Sequence, residues 1–171
     1  MARRTFSIGG VHPNDAKISR GCAIEALPLP QTVYISLAQH IGAPAKPVVA
    51  VGDKVKVGQP IAEPGGFVSA FIHCSVSGTV KSIGPRKDLA GNTQTYVEIA
   101  VEGDDWAEGI DRSETLVTEI PDDGKAIIEK IRLGGVVGLG GATFPTHVKL
   151  TPPPGKKCEM LIINGCECEP Y

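Results

Sequence analysis

The sequence is poor in aromatic residues, which fill 5% of its 171 positions and include a single tryptophan, Trp106. A chain so short of large rings, carrying 21 glycines and 14 prolines, favours short strands and turns over long helices. It has no excess of either charge: 17 Lys and Arg against 19 Asp and Glu leave a net charge of −2. That balance leaves no electrostatic footprint for nucleic acid or an acidic membrane surface. No apolar run approaches the ~18–20 residues of a membrane span, so direct membrane insertion is not expected. The opening Met1–Phe6 is basic, but no apolar stretch of a secretory signal follows it.

The five cysteines are Cys22, Cys74, Cys158, Cys166 and Cys168. An odd number without a secretory signal points to free thiols in a reducing compartment. Only Cys166 and Cys168 lie close in sequence. Two thiolates on one face of an extended segment do not complete a zinc or iron–sulfur site, which usually takes four ligands. No metal site is predicted.

Glycine is concentrated in one place. The run GGVVGLGGATFPTHVK, from Gly134 to Lys149, holds five glycines, a Phe-Pro-Thr step and a terminal lysine. Glycine lets a ligand approach the main chain without a Cβ in the way. Successive N–H groups of such a loop can converge on an anion, and a helix starting after it adds a positive dipole end. The same pattern also suits a plain turn between two elements. It is not a Walker A loop, which needs Gly-Lys-Ser/Thr, nor a G-x-G-x-x-G turn after a strand. A second run, NGCECEPY from Asn164 to Tyr171, follows it.

The chain is long enough for one small domain and part of another. Residues 1–30 read as an extended arm, with turns marked by Gly-Gly-Val-His-Pro and Pro-Leu-Pro. Residues 31–102 read as all-β, with short strands near Val33–Leu37, Pro47–Val51, Gln59–Glu63, Phe67–Ile72, Gly78–Ile83 and Thr95–Val101. VGDKVKVGQPIAE alternates apolar and polar residues around a Gly-Asp turn, as a half-buried strand pair does. Residues 103–121 read as a linker, broken by Gly103, Gly109 and Asp111, which Trp106 is expected to pack against one of its neighbours. Residues 122–171 open on a helix from Asp122 to about Leu133. Ile127, Ile128 and Ile131 share its apolar face, and Gly134-Gly135 ends it. A short helix over Pro145–Leu150 and a buried strand at Met160–Ile163 complete this part. Polar segments beyond the carboxyl ends of such strands are where ligands bind in open α/β sheets.

The 31–102 segment resembles the barrel-sandwich hybrid of biotinyl and lipoyl domains. Those domains carry V-G-D-x-V-x-x-G-Q and S-G-x-V segments like those from Val51 to Gln59 and from Ser77 to Val80. A carrier domain needs a lysine at the hairpin tip to anchor its arm, and the interval Ala62–Val76 contains none. An acyl carrier is therefore set aside. Phe67, at that tip beside two glycines, is expected to fill the small core, with an exposed docking contact as the other possibility.

GLGGATFPTHVKL is similar to the G-R-G-G-A-G-F-P-T-G-x-K-W loop of the NADH-oxidising flavoprotein subunit of respiratory complex I. NGCECEPY is similar to the N-G-D-E-S-E-P-G run of the same subunit. GGVHP, QHIGAPAKPVV, VGDKVKVGQ, SVSGTVKSI, GVVGLGGATFPTHVKL and INGCECEPY together resemble the RnfC family. Its members belong to membrane-associated, ion-translocating NADH–ferredoxin oxidoreductases. The resemblance implies a mainly β fold, a barrel-sandwich hybrid followed by the start of an α/β FMN-binding domain. It implies FMN contacts at Gly138, Gly140, Gly141, Lys149, Asn164 and Glu167, with Glu167 near the hydride path as the catalytic candidate. Leu139, Thr143 and Cys166 depart from that pattern, standing where arginine, glycine and aspartate are expected. NADH is the implied substrate and other Rnf subunits the partners. The implied place is peripheral, on the cytoplasmic side of the membrane. Two 4Fe–4S clusters are expected only in later parts of the family's chains, and this fragment alone is not expected to be active. A non-catalytic module that docks the subunit to its neighbours is the rival function.

Overall fold

In a computed structural model, residues 17–120, 122–139 and 141–163 are described. The chain divides into two units, one of residues 28–159 and one of residues 1–27 with 160–171.

The larger unit opens with seven strands. They are β1 (Thr32–Ser36), β2 (Lys46–Pro47), β3 (Lys54–Val55), β4 (Pro60–Glu63), β5 (Ile72–His73), β6 (Gly78–Lys87) and β7 (Thr93–Val101). They form a four-stranded sheet in the order β1-β7-β6-β3 and a three-stranded sheet in the order β2-β4-β5. Every pairing is antiparallel. One core fills the space between: Leu37 at 1% exposure and Ile61, Val97 and Ile99 at 0% are its most enclosed large side chains. The burial of β7 alternates along the strand, as in a sheet with one face on a core and one in water. This is the barrel-sandwich architecture expected from the sequence.

Turn chemistry closes the sheets. Gly52 takes φ +96, and the Asp53 carboxylate accepts the Ala50 N–H at 2.8 Å. That turn consumes Ala50 to Asp53, so the strand expected over Pro47–Val51 shrinks to Lys46–Pro47. The strand expected over Phe67–Ile72 likewise reduces to Ile72–His73. There the chain forms a tip instead, with Phe67 80% exposed. Phe67 does not enter the core. The polar groups of this stretch are bonded to a loop and not to a strand, the Ala43 N–H donating to Val68 O at 3.0 Å and the Ser69 hydroxyl to Ala43 O at 2.9 Å. Cys74 is buried while His73 is half-buried, the split that adjacent strand positions produce.

The linker lies along the barrel. Val57 and Trp106 form a bridge, the indole N–H donates to Asp104 at 2.9 Å, and the Arg112 guanidinium lies 4.4 Å from the ring centre. Two helices follow, α1 (Gly124–Leu133) and α2 (Thr146–Leu150). The Asp123 side chain caps α1 by accepting the Lys125 N–H, the role short acids take at helix starts.

In the smaller unit, a turn at Lys17–Cys22 is held by the Arg20 N–H on the Lys17 carbonyl at 3.2 Å and the Cys22 N–H on the Ser19 carbonyl at 3.0 Å. The strand expected at Met160–Ile163 is not formed, and these residues are 67–82% exposed. An apolar run becomes a buried strand only beside sheet neighbours whose amides it can satisfy.

Candidate functional site

The glycine run forms a loop closed at its base. Gly134 caps α1, its N–H donating to the Lys130 carbonyl at 2.9 Å, and the Gly135 N–H donates to the Arg132 carbonyl at 3.0 Å. Gly135 then takes φ +63. Val137 and Pro145 pair as an antiparallel bridge. The Gly138 N–H donates to Phe144 O at 3.1 Å and the Thr146 N–H to Val136 O at 3.0 Å. Between these ties the chain is exposed at Leu139, Gly141 and Ala142.

Two of the predicted glycines in this loop have no internal reason to be glycine. Neither Gly138 nor Gly141 takes a positive φ. A Cβ on Gly138 would meet nothing nearer than 4.0 Å, and one on Gly141 nothing within 4 Å. The N–H groups of Gly141, Ala142 and Thr143 find no acceptor among the described residues. Open space over a main chain with unclaimed donors is what a bound anion uses. Lys149 is exposed on α2, and its ammonium has no partner among the described residues. With five residues, α2 adds little dipole. Gly140, Asn164 and Glu167, and with them Cys166 and Cys168, lie outside the described residues.

Thr143 departs from the rest of the loop. It is the one non-glycine residue with positive φ among the described residues, at +52. A β-branched side chain there is strained, at a cost of about 1–3 kcal/mol. Thr143→Gly should therefore stabilise the chain by roughly 0.5–1 kcal/mol, the glycine's own unfolded-state entropy offsetting part of the relief. Urea unfolding measures this, and a loss of stability would contradict the left-handed geometry.

The foot of the loop rests on the barrel through residues that the sequence did not single out. A cavity of about 220 Å³ opens there, lined in part by His40, Phe71, His73, Gly135 and Val137. It is smaller than the ~300 Å³ at which small-molecule sites begin, so the loop above is the candidate wall. Arg132 makes a bidentate contact with Glu129, both bonds at 2.7 Å, and its guanidinium lies 5.2 Å from the Phe71 ring centre. Glu129-x-x-Arg132 is a helical i,i+3 pair, a signal open to sequence reasoning. Its contact with Phe71 is not.

Two histidines flank this junction. His73 titrates below its ordinary value because burial disfavours the cation, partly offset by the Leu133 carbonyl. His147 is lowered by burial and then by Arg132, against the pull of Glu129. Its Nδ1 is buried with no hydrogen-bond partner among the described residues. Both folded values lie below the unfolded 6.5, so folding favours the neutral form of both rings. Their contribution to stability is complete above pH 6.5 and is lost as pH falls through the lowered folded values. Thermal unfolding from pH 7.5 to 5 should show that fall, reduced in His147→Asn.

Residues 5–105 match the model of the RnfC barrel sandwich hybrid domain, and residues 131–171 that of the Nuo51 FMN-binding domain. The chain is 48% identical over 165 residues to the C subunit of the proton-translocating ferredoxin:NAD(+) oxidoreductase complex of Clostridium ljungdahlii, covering 95% of this chain and 35% of the relative. It is 44% identical over 169 residues to the Na(+)-translocating counterpart of Acetobacterium woodii, covering 95% and 37%. With the C subunit of the ion-translocating oxidoreductase complex of Pseudomonas aeruginosa it shares 42% identity over 173 residues, covering 99% and 22%. The chain thus spans little more than a third of the length of the first two relatives and less of the last. No helix among the described residues is long and apolar enough to cross a membrane.

Proposed function

The chain belongs to the RnfC barrel-sandwich hybrid family, and from that premise we propose that it is the N-terminal part of a peripheral, cytoplasm-facing subunit of a membrane-bound complex. That complex couples electron transfer between NADH and ferredoxin to ion translocation. Its other subunits are the partners, and the Gly134–Lys149 loop contributes to an FMN site.

The observation that carries this is the open main chain at Gly138 and Gly141, beside N–H groups and a Lys149 ammonium that have no partner among the described residues. That donor set fits a phosphate-bearing cofactor. Gly138, Gly140 and Gly141 would let the backbone approach it, Lys149 would supply positive charge, and Asn164 would hydrogen-bond. Glu167 would stand near the path of the nicotinamide. Bound FMN would accept a hydride from NADH and pass electrons on singly. The 4Fe–4S clusters belong to later parts of the full-length subunit.

Titrating the purified chain with FMN, followed by flavin fluorescence, tests this. Saturable quenching at micromolar protein is expected. Gly141→Val should weaken it at least tenfold without moving the melting temperature, because the new side chain meets solvent or ligand and not protein. Equal binding by the two chains would defeat the assignment.

The exposed Phe67 favours a second role, docking against a neighbouring subunit. Phe67→Ser should then weaken retention of the chain by the isolated complex and leave FMN quenching intact.

A further inference from the structure

The loop proposed to hold the flavin does not support itself. Among the described residues it closes only through the Val137–Pro145 bridge and the two main-chain bonds that make it, and it stands on a helix none of whose residues is buried. What fixes it lies across the chain, on the barrel. A Cβ on Gly135 would meet Phe71 O at 2.4 Å and the His73 ring at 3.3 Å. The main chain at the root of the loop therefore lies directly against the segment leading into β5. Just before it, Arg132 lies over Phe71 while the Glu129 carboxylate accepts both Nε–H and Nη2–H along one edge of its guanidinium. His147, the second residue of α2, feels the charges of the same guanidinium and carboxylate. One cation thus ties α1 to the barrel.

We propose that Arg132, stacked on Phe71, is the positioning residue that seats the glycine loop on the barrel, so that the barrel sets the geometry of the loop. The seat stands on the contacts above. Its effect on FMN rests on the flavin assignment. Glu129 orients the guanidinium plane, Phe71 supplies the face it lies on, and Gly135 permits the close approach. In this arrangement the barrel, which carries no prosthetic arm, is the rigid element on which a cofactor loop is built.

Amide hydrogen exchange on the full chain tests the seat without any cofactor. The reporters are the Val136, Gly138 and Thr146 amides, which are bonded at the base of the loop. The Leu37 and Val80 amides, bonded within the barrel, are the controls. Arg132→Ala and Phe71→Leu should each lower protection at the reporters roughly tenfold and leave the controls within about twofold. Phe71→Tyr keeps the aromatic face and should restore protection. Phe71→Leu keeps most of the bulk, so rescue by tyrosine alone separates the stack from simple packing. Unchanged reporters in Arg132→Ala, or equal protection in the Leu and Tyr variants, overturns the proposal. FMN titration of the same variants forms the second arm. A loosened loop with weaker quenching supports both the seat and the flavin site. A loosened loop in a chain that never binds FMN supports the seat and removes the flavin assignment. A loosened loop whose FMN affinity matches the parent's overturns the barrel's control of the site.

Discussion

Gly78→Ala is expected to destabilise the barrel by about 3 kcal/mol or more, lowering its melting temperature by about 10 °C or more. Gly78 begins β6, opposite Val101 of β7 and Val55 of β3. A Cβ built on it would lie 1.9 Å from Ala100 O and 3.2 Å from the Glu102 nitrogen. Both atoms are main chain, so no side chain can swing away to make room. The strands would have to part where they are most tightly joined. Ser77 O accepts the Glu102 N–H at 2.9 Å, the Ser77 hydroxyl donates to Glu102 O at 2.7 Å, and the Asp105 N–H donates to that hydroxyl at 3.0 Å. Gly84 on the same strand is the control, since a Cβ there meets nothing within 4 Å. Gly84→Ala should be neutral or slightly stabilising, because alanine loses less backbone freedom on folding. Thermal melts of the two variants decide the matter, and similar midpoints would mean that β6 and β7 do not approach as described.

The comparison between these two glycines marks how far the sequence could be read. The alternation from Val51 to Gln59 and the Gly52-Asp53 turn announced a half-buried strand pair; the turn and two strands, β3 and β4, are there, but they do not pair with each other, β3 joining β6 in one sheet and β4 joining β2 and β5 in the other. The length of the long hairpin was not legible. Pro85 argues against a strand, yet β6 runs on to Lys87. β3 pairs only with Gly78 and Thr79, so the rest of β6 is an edge, where a missing N–H costs no bond. Met160–Ile163 failed in the opposite direction. Its composition suits a buried strand, but sheet neighbours decide whether it becomes one. In the candidate site the glycines could be found by density alone, and their openness agrees with a ligand-facing role. Arg132 and Phe71 could not be found that way. They are distant in sequence, and only the fold of the barrel brings an ordinary phenylalanine beneath an ordinary helix-surface arginine.

His40→Ala should cost about 3 kcal/mol, although His40, which lies in the QHIGAPAKPVV run, is not among the candidate site residues. It is 8% exposed. Its Nε2 accepts the Ala70 N–H at 3.1 Å, which places the ring proton on Nδ1, 3.2 Å from Ile41 O. Ala70 itself is 0% exposed. Truncation would strand that N–H away from water at about 1–3 kcal/mol and add the cost of a ring-sized cavity. The same ring helps lock two loops together. The Ala43 N–H donates to Val68 O at 3.0 Å, and the Ser69 hydroxyl donates to Ala43 O and accepts the Gly65 N–H, both at 2.9 Å. Ser69→Ala alone should cost about 1–2 kcal/mol. The double variant should lose less than the sum, because either change frees the same pair of loops. Chemical denaturation of the two single variants and the double completes the cycle. Strict additivity would mean that His40 and Ser69 hold separate structures. Coupling would show that the tip bearing Phe67 is one preorganised unit, which is the physical requirement for an exposed phenylalanine to serve as a contact instead of a liability.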